Sequence, residues 1–339
     1  MRTVRLLIIG FGSVGRGLLK LITNKYEELR RRYDIELKII GLADSSGFIV
    51  NEQGFTNREL LKILELPRSS LAKSSFGKTY STLRDVLQII KPDIVVELTP
   101  CNYDNGEPGY THIKLSLEHD CHVVTANKAP LVLYFNELTS LAKSRNLMLL
   151  YKATVMGGTP LLDIISIGLK GQFIKRIEGI LNATTNYILT RAFEGFKMSE
   201  AINEAKKLGI MEANPSLDLD GIDAAAKLVI IANTLGLDLK LSQIERVSLM
   251  VVSDDCIEKC RSEDKVIKYI AMLSVEEKKA KVAPEVLSKD HPLANISGTL
   301  NSVKIETETN TIVITGKGGG GIETAGSVLS DILIITEHL

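Results

Sequence analysis

Two domains are predicted from the 339-residue sequence: an α/β domain built on a doubly wound sheet, and an α+β domain inserted before the chain returns to the first. Three observations predict them. Short apolar runs such as residues 4–9 (VRLLII) alternate with helical patterns through the first 150 residues, as strands buried on both faces by crossover helices do. The glycine-rich turn GFGSVG follows the first run directly and opens a helix. From Gly157 the one-by-one alternation stops. The expected boundaries are 1–150 with 295–339 for the first domain and 151–294 for the second.

Bulk properties narrow the function classes. Lys plus Arg equals Asp plus Glu at 41 each, which argues against nucleic acid and acidic membrane surfaces as partners. The first apolar run is too short for a signal peptide, and no run approaches the ~18 apolar residues of a membrane span. Four scattered cysteines, at 101, 121, 256 and 260, fit a reducing cytoplasm. Cys256 and Cys260 share a metal-like spacing without companion ligands, so a metal there is not expected.

Strand, G-x-G-x-x-G and helix in succession form the dinucleotide fingerprint in its required context. Gly10 permits the tight turn, Gly12 lets backbone approach a pyrophosphate, and Gly15 lets the helix pack on the strand. Phe11, Ser13 and Val14 complete the turn, and free N–H groups at the helix start then hold phosphate. The second strand, 35–44, ends at Asp44, where an acid is placed to bond a ribose 2′-hydroxyl and so favours NAD over NADP. Asp44 followed by two serines and a glycine could equally be a turn acid or cap. Residues 45–80 read as loop with a short helix. The strand in DIVVEL delivers Thr99, and the strand in HVVTANK delivers Lys128, both at carboxyl ends that face the cofactor crevice of such sheets. His112, His119 and His122 read as surface or loop groups. Strand LMLLYKATV completes about six strands of a Rossmann-like sheet.

In the second domain a helix (GTPLLDIISIGL) precedes a strand that runs into a helix near Ile188. Between the last two, residues 182–186 (NATTN) present hydroxyls and amides, with Thr184 as a substrate contact, although Asn and Thr also favour helix caps. SQIERVSLM reads as a helix and residues 265–274 and 278–288 as strands. The stretch 208–235 organises the rest. A turn-rich loop carrying Glu212 and Asp218 leads into a helix from Asp220-Gly221 to Leu235, apolar nearly all round and hence buried. Asp223 and Lys227 interrupt it at i and i+4 on one face. Burying lone charges is unfavourable by several kcal/mol, so these groups read as lining a polar-floored pocket; the alternative is a surface ion pair. The C-terminal strands and the glycine run 316–321 with its helix read as the return to the first domain, the glycines forming either a hinge or a second wall of the cofactor site.

These motifs, in order and over nearly the whole chain, resemble the homoserine dehydrogenase family: GFGSVG, VVTANK, ATVMGGTPLLDII, GILNATTNYIL, LGIMEANPSLDLDGIDAAAK and GGGGIETAGSVLSDI. The resemblance implies NAD(P)-dependent reduction of L-aspartate 4-semialdehyde to L-homoserine, on the route to threonine and methionine. It makes Lys227 the proton donor and places Glu212, Asp223 and Asp218 at the amino-acid end of the substrate. Thr99 and Lys128 would lie at the nicotinamide end, with Gly320 behind the ring. It also implies a homodimer built through the second domain. Where family members carry Glu-Ala-Thr-Val for a monovalent cation, this chain has Lys152-Ala153-Thr154-Val155, so no cation is expected. Neither the regulatory domain nor the aspartate kinase that often accompanies the family is expected.

The residue chemistry supports such a reaction. Hydride arriving at an aldehyde carbon leaves negative charge on oxygen, which a lysine ammonium can stabilise and protonate. Two other classes are set against this reading. A semialdehyde dehydrogenase working through a thiohemiacetal needs a thiolate and a base; Cys101 and Cys121 are the cysteines in range. A nucleotide sensor acting on DNA needs a basic recognition face, which the balanced charge disfavours.

Overall fold

The computed structural model describes residues 1–211 and 214–339, which divide into two compact units, 1–154 with 320–339 and 155–319. In chain order the first unit holds β1 (Arg2–Ile9), α1 (Ser13–Asn24), α2 (Tyr26–Tyr33), β2 (Ile35–Asp44), β3 (Gly47–Val50), α3 (Asn57–Glu65), β4 (Lys78–Tyr80), α4 (Leu83–Ile90), β5 (Ile94–Glu97), α5 (Gly109–Glu118), β6 (His122–Thr125), α6 (Lys128–Ser144) and β7 (Leu149–Leu150). The second holds α7 (Leu161–Asp163), β8 (Ile174–Ile180), α8 (Ala183–Phe193), α9 (Met198–Lys207), α10 (Ser216–Leu219), α11 (Ile222–Thr234), β9 (Glu245–Arg246), α12 (Asp254–Ser262), β10 (Lys265–Ser274), β11 (Lys279–Ser288), β12 (Leu300–Thr307) and β13 (Thr311–Lys317). The last helix, α13 (Gly321–Thr336), belongs to the first unit.

The first sheet runs in the order β4-β3-β2-β1-β5-β6-β7, with β2, β1, β5, β6 and β7 parallel and β3 antiparallel to both of its neighbours, β2 and β4. Strand order reverses between β1 and β5, and ligands in open α/β sheets bind outside the carboxyl ends at such a point. Leu6, Ile8, Val96 and Val124 bury completely against α1 and α13, while Leu7 and Val95 bury on the other face with Val86 and Leu87 of α4. Helix α13 lies so close to α1 that a Cβ on Gly17 would approach the Gly321 carbonyl oxygen to 2.9 Å.

The second sheet runs β13-β12-β8-β10-β11-β9. Here the expected boundary at 295 is corrected: β12 pairs with β8 and β13 with β12, and the chain returns only at Gly320, inside the glycine run. Alternation fixes which face a strand buries and carries no information about which sheet receives it. The helix expected over SQIERVSLM is instead two 3₁₀ turns, Leu241–Gln243 and Leu249–Val251, around β9. Pairing of Glu245 and Arg246 with Lys281 and Val282, and a Ser248 hydroxyl accepting from the Met250 amide, override the local helical pattern. Residues 45–80 carry β3, α3 with a Thr56–Glu59 capping box, and β4. Helix α8 begins at Ala183, earlier than its apolar run suggests, because Asn182 caps it.

Candidate active site

The crevice of the first unit grows from the glycine turn. Gly10 has φ +102°, and a Cβ there would lie 2.5 Å from the Leu98 carbonyl carbon; one on Gly15 would collide with the Gly10 carbonyl oxygen. A Cβ on Gly12 would meet nothing within 4 Å. Two glycines therefore serve turn and packing, and the middle one keeps space open for a ligand. No side chain caps α1 at Gly12, so the helix dipole and N–H groups at Ser13, Val14 and Gly15 are presented to an anion. The crevice is about 410 Å³ and is lined by Gly10, Phe11, Gly12, Asp44, Thr99 and His112, among others. These residues fit a dinucleotide with its pyrophosphate on the glycine turn. Gly320 (φ +116°) starts α13, and a Cβ on the next residue, Gly321, would sit 3.1 Å from Ser13. The glycine run thus ends beside the turn.

At the carboxyl ends of β5 and β6 a polar cluster that residue order concealed is assembled. Glu97 is fully buried; one oxygen accepts from the Thr99 amide (3.0 Å) and hydroxyl, the other from the Thr125 hydroxyl (3.2 Å). The Asn127 amide donates to the Thr99 hydroxyl at 3.2 Å. His112 is not a surface group: it lines the crevice, with Nδ1 3.5 Å from Glu97 but without hydrogen-bond alignment. An acid inside the apolar run DIVVEL was the available signal for this cluster. Lys128 opens α6, and its amide donates to Cys101 Sγ at 3.3 Å.

Asp44 lines the crevice, but its acceptor positions are taken. Oδ1 accepts from the Ser46 amide (2.8 Å) and hydroxyl (2.5 Å), and Oδ2 from the amides of Ser70 (2.9 Å) and Leu71 (3.2 Å). Burial alone would raise this carboxyl, but the Ser46 hydroxyl and the amides of Ser46, Leu71 and Ser70 outweigh it and hold it below the ordinary range. Asp44 thus lines the crevice and at the same time holds its own loop, the turn role that the sequence left open beside the ribose contact.

In the second unit the Asp223–Lys227 pair lies in a buried polar cluster, as the apolar flanks of α11 require. Lys227 Nζ donates to Asp223 Oδ2 at 2.7 Å and to the Leu181 carbonyl at 2.6 Å. Asn182 Nδ2 donates to Asp218 Oδ1 (2.7 Å) and Asp223 Oδ2 (3.0 Å), and its Oδ1 accepts from the Thr185 amide. One side chain thereby caps α8 and aligns two carboxylates. Asp218 is buried at 3% exposure and Lys227 at 7%. An ammonium has three donors; two are directed here, which leaves one for a ligand oxygen. Thr184 is buried with its hydroxyl donating to the Ile210 carbonyl, so it anchors the loop, and Asn182 occupies the position facing the acids. Glu212 lies outside the described residues.

The residues do not fit the expected cation segment of the family. Lys152 is buried, its Nζ 3.4 Å from Asp331 Oδ1 and 3.1 Å from the Ser330 hydroxyl, and its amide donates to Asp331 Oδ2. A fixed ammonium there repels a second cation. Among the described residues no cluster of three His, Cys, Asp or Glu side chains suits a metal, and Cys256 is exposed while Cys260 is buried. Burial pushes the Cys121 thiol up to about 12, which removes it as a thiolate nucleophile.

The family model for the homoserine dehydrogenase NAD binding domain matches residues 10–152, and that for homoserine dehydrogenase matches 160–333. The chain belongs to the homoserine dehydrogenase family. It is 36% identical to a homoserine dehydrogenase of Methanocaldococcus jannaschii, over 97% of this chain and 98% of that one. It is likewise 36% identical to an NAD(+)-dependent homoserine dehydrogenase of Pseudomonas canavaninivorans, over 99% and 97%. A hyperthermophilic archaeal homoserine dehydrogenase in complex with NADPH superimposes with a TM-score of 0.84 at 33% identity, covering 99% of this chain and 98% of that one. As a homoserine dehydrogenase this chain is an NAD(P)-dependent oxidoreductase that interconverts L-aspartate 4-semialdehyde and L-homoserine, a step of amino-acid biosynthesis. No helix among the described residues is long and apolar enough to cross a membrane.

Proposed function

We propose that Lys227 is the proton donor of this reaction and that Asp223, Asp218 and Glu212 hold the amino-acid end of the substrate. The observation that carries this reading is the buried chain Lys227–Asp223–Asn182–Asp218. Bound NAD(P)H supplies the hydride that turns the aldehyde carbon into an alkoxide carbon. Lys227, aimed by Asp223 and the Leu181 carbonyl, offers its third N–H to the aldehyde oxygen, stabilises the developing charge and transfers the proton. Preorganised donors of this kind act strongly because they are removed from water. Asp218 and Asp223, already aligned by Asn182, present acceptors to the α-ammonium of the substrate, which an unsubstituted aldehyde lacks.

In the same reading the backbone around Gly12, Ser13 and Val14 holds the pyrophosphate, Phe11 and Gly15 shape the turn, and Thr99, Lys128 and Gly320 serve the nicotinamide end. The first unit is the dinucleotide-binding domain and the second the substrate and dimerisation domain. The working molecule is a homodimer built through the second unit, where Val286 of β11 and Val313 of β13 remain exposed. Four cysteines without disulfide partners support a reducing, cytoplasmic setting.

The test is initial-rate oxidation of NADPH and NADH with L-aspartate 4-semialdehyde against succinic semialdehyde, which lacks the α-amino group. The amino acid is expected to be preferred by ~100-fold or more in kcat/KM, since two or more charged hydrogen bonds are at stake. Asp218→Asn should lose most of that preference through KM. Equal use of both aldehydes, or an Asp218→Asn variant with unchanged preference, would remove the acids from this role.

A further inference from the structure

Past Lys317, the last residue of β13, the chain leaves the second unit through Gly318 and Gly319 and enters the first at Gly320. Its exit is sterically tight. A Cβ on Gly316 would overlap the Thr159 hydroxyl, one on Gly318 would overlap the Asn301 side-chain oxygen, and one on Gly157 would lie 3.1 Å from the Gly318 carbonyl carbon. One residue further on, a Cβ on Gly319 would meet nothing within 4 Å. Glycine lets backbone pass this close to a side chain and leaves several backbone conformations open to the segment.

Asn301 is the fixed side of this passage. It opposes Gly316 across the β12–β13 pair, and the segment leading to it is tied to α8. The Asn186 side-chain amide donates to the Leu300 carbonyl at 3.1 Å, and the Gly298 amide donates to the Thr190 hydroxyl at 3.0 Å. The Asn301 side chain is fully buried, and neither its oxygen nor its nitrogen has a hydrogen-bond partner among the described residues. An amide sealed from water without partners is unfavourable, whereas a leucine of similar shape would carry no such penalty. A polar group so placed calls for a state of the protein that uses it. What lies against Asn301 is the backbone of the glycine run, and peptide groups supply both the donor and the acceptor that a side-chain amide needs.

We propose that Asn301 is a positioning residue, a fixed latch for the glycine run: on cofactor binding the run shifts, its peptide N–H and C=O groups bond the Asn301 amide, and Gly320 is held behind the nicotinamide. The inference rests on the reading that Gly320 serves that end of the cofactor. The latch is held by β12 and α8, while Gly318 and Gly319 lie beyond the paired part of β13 and carry no side chains to obstruct a shift. Closing exchanges an unpaired buried amide for two hydrogen bonds, so the resting protein is poised towards the closed form. Lid segments of enzymes move in this way, with a few residues absorbing the backbone change.

The experiment compares the full-length enzyme with Asn301→Leu. It measures the melting temperature of the cofactor-free protein and the affinity for two probes: the better of NADPH and NADH, and the matching fragment without nicotinamide, ADP-ribose or its 2′-phosphate. Leucine removes the unpaired amide, so the variant is expected to melt a few degrees higher. Its affinity for the reduced cofactor should fall about 10- to 100-fold, the range of one or two hydrogen bonds, while the fragment binds as before. Unchanged cofactor affinity, whatever the melting temperature, would overturn the latch. An equal loss with cofactor and fragment would overturn the placement of the run at the nicotinamide end, a distinct outcome. Hydrogen exchange of residues 316–321 in the wild-type enzyme supplies a second measurement that does not depend on the variant folding. The reduced cofactor should slow exchange there and the fragment should not; exchange that is the same with and without cofactor would overturn the proposal.

Discussion

Alanine at Gly12 separates folding from cofactor binding more cleanly than any other substitution in the glycine turn. The backbone there has φ −84° and ψ −151°, close to extended, and a Cβ meets no atom within 4 Å. Folding should therefore be unaffected or slightly favoured, by up to about 1 kcal/mol, because alanine restricts the unfolded chain. Binding should suffer. A methyl between the helix N-terminus and the pyrophosphate lengthens one or two charged N–H···O bonds, each worth about 1.5–3 kcal/mol. A net loss of about 2–4 kcal/mol raises Kd roughly 30- to 1,000-fold. Gly10→Ala behaves oppositely, since φ +102° and the 2.5 Å approach to Leu98 destabilise the fold before any ligand arrives. Fluorescence titration with NADPH and NADH, alongside melting curves of the cofactor-free protein, gives both quantities. A Gly12→Ala enzyme that melts normally and binds within about threefold of wild type would refute the placement of pyrophosphate on this turn.

Three further outcomes follow from buried charge and from the thiols. Lys268 is buried, donates to the Ile296 carbonyl at 2.5 Å, and burial lowers its amine from 10.5 to about 8. The unfolded chain thus binds more protons between about pH 8 and 10.5, so stability should rise with pH through that window. Lys268→Met should raise the melting temperature at pH 7 and flatten that rise; an unchanged slope would contradict the assignment. Lys152→Met should destabilise by about 3–5 kcal/mol because Asp331 loses its buried ammonium, and adding Asp331→Leu should recover much of it; additive losses in chemical denaturation would refute the pairing. Cys101→Ser should keep aldehyde-dependent NAD(P)H oxidation within about threefold, whereas a loss of ~100-fold would favour a thiohemiacetal mechanism.

What was legible in the residues depended on how local the constraint was. The glycine turn could be read because strand, turn and helix are contiguous and each glycine has a separate steric reason. Asp223 and Lys227 could be read because an i,i+4 pair on an apolar helix leaves few environments open to it. Asn182 was visible within a polar run, but its two carboxylate partners come from α10 and α11, and no spacing rule connects them. Asp44 was read at the end of β2 with a turn role as one alternative, but its bonds to the amides of Ser70 and Leu71 were hidden, since those residues belong to an irregular loop without periodicity. The strands β12 and β13 were recognised as strands and assigned to the wrong sheet, because alternation encodes a face and not a neighbour. His112 looked like a surface residue because nothing near it in sequence hints at Glu97, which reaches it from a parallel strand.

The central claim is that the ammonium of residue 227 protonates the alkoxide made by hydride transfer. Its most direct test is the single-turnover rate of NADPH oxidation by Lys227→Ala with saturating aspartate semialdehyde, measured with and without added primary amines, with NADPH affinity as the control. The account predicts a fall of ~100-fold or more with cofactor affinity little changed, and partial recovery as small alkylammonium ions enter the vacated space. A folded variant that turns over near the wild-type rate, with no response to amines, would contradict it.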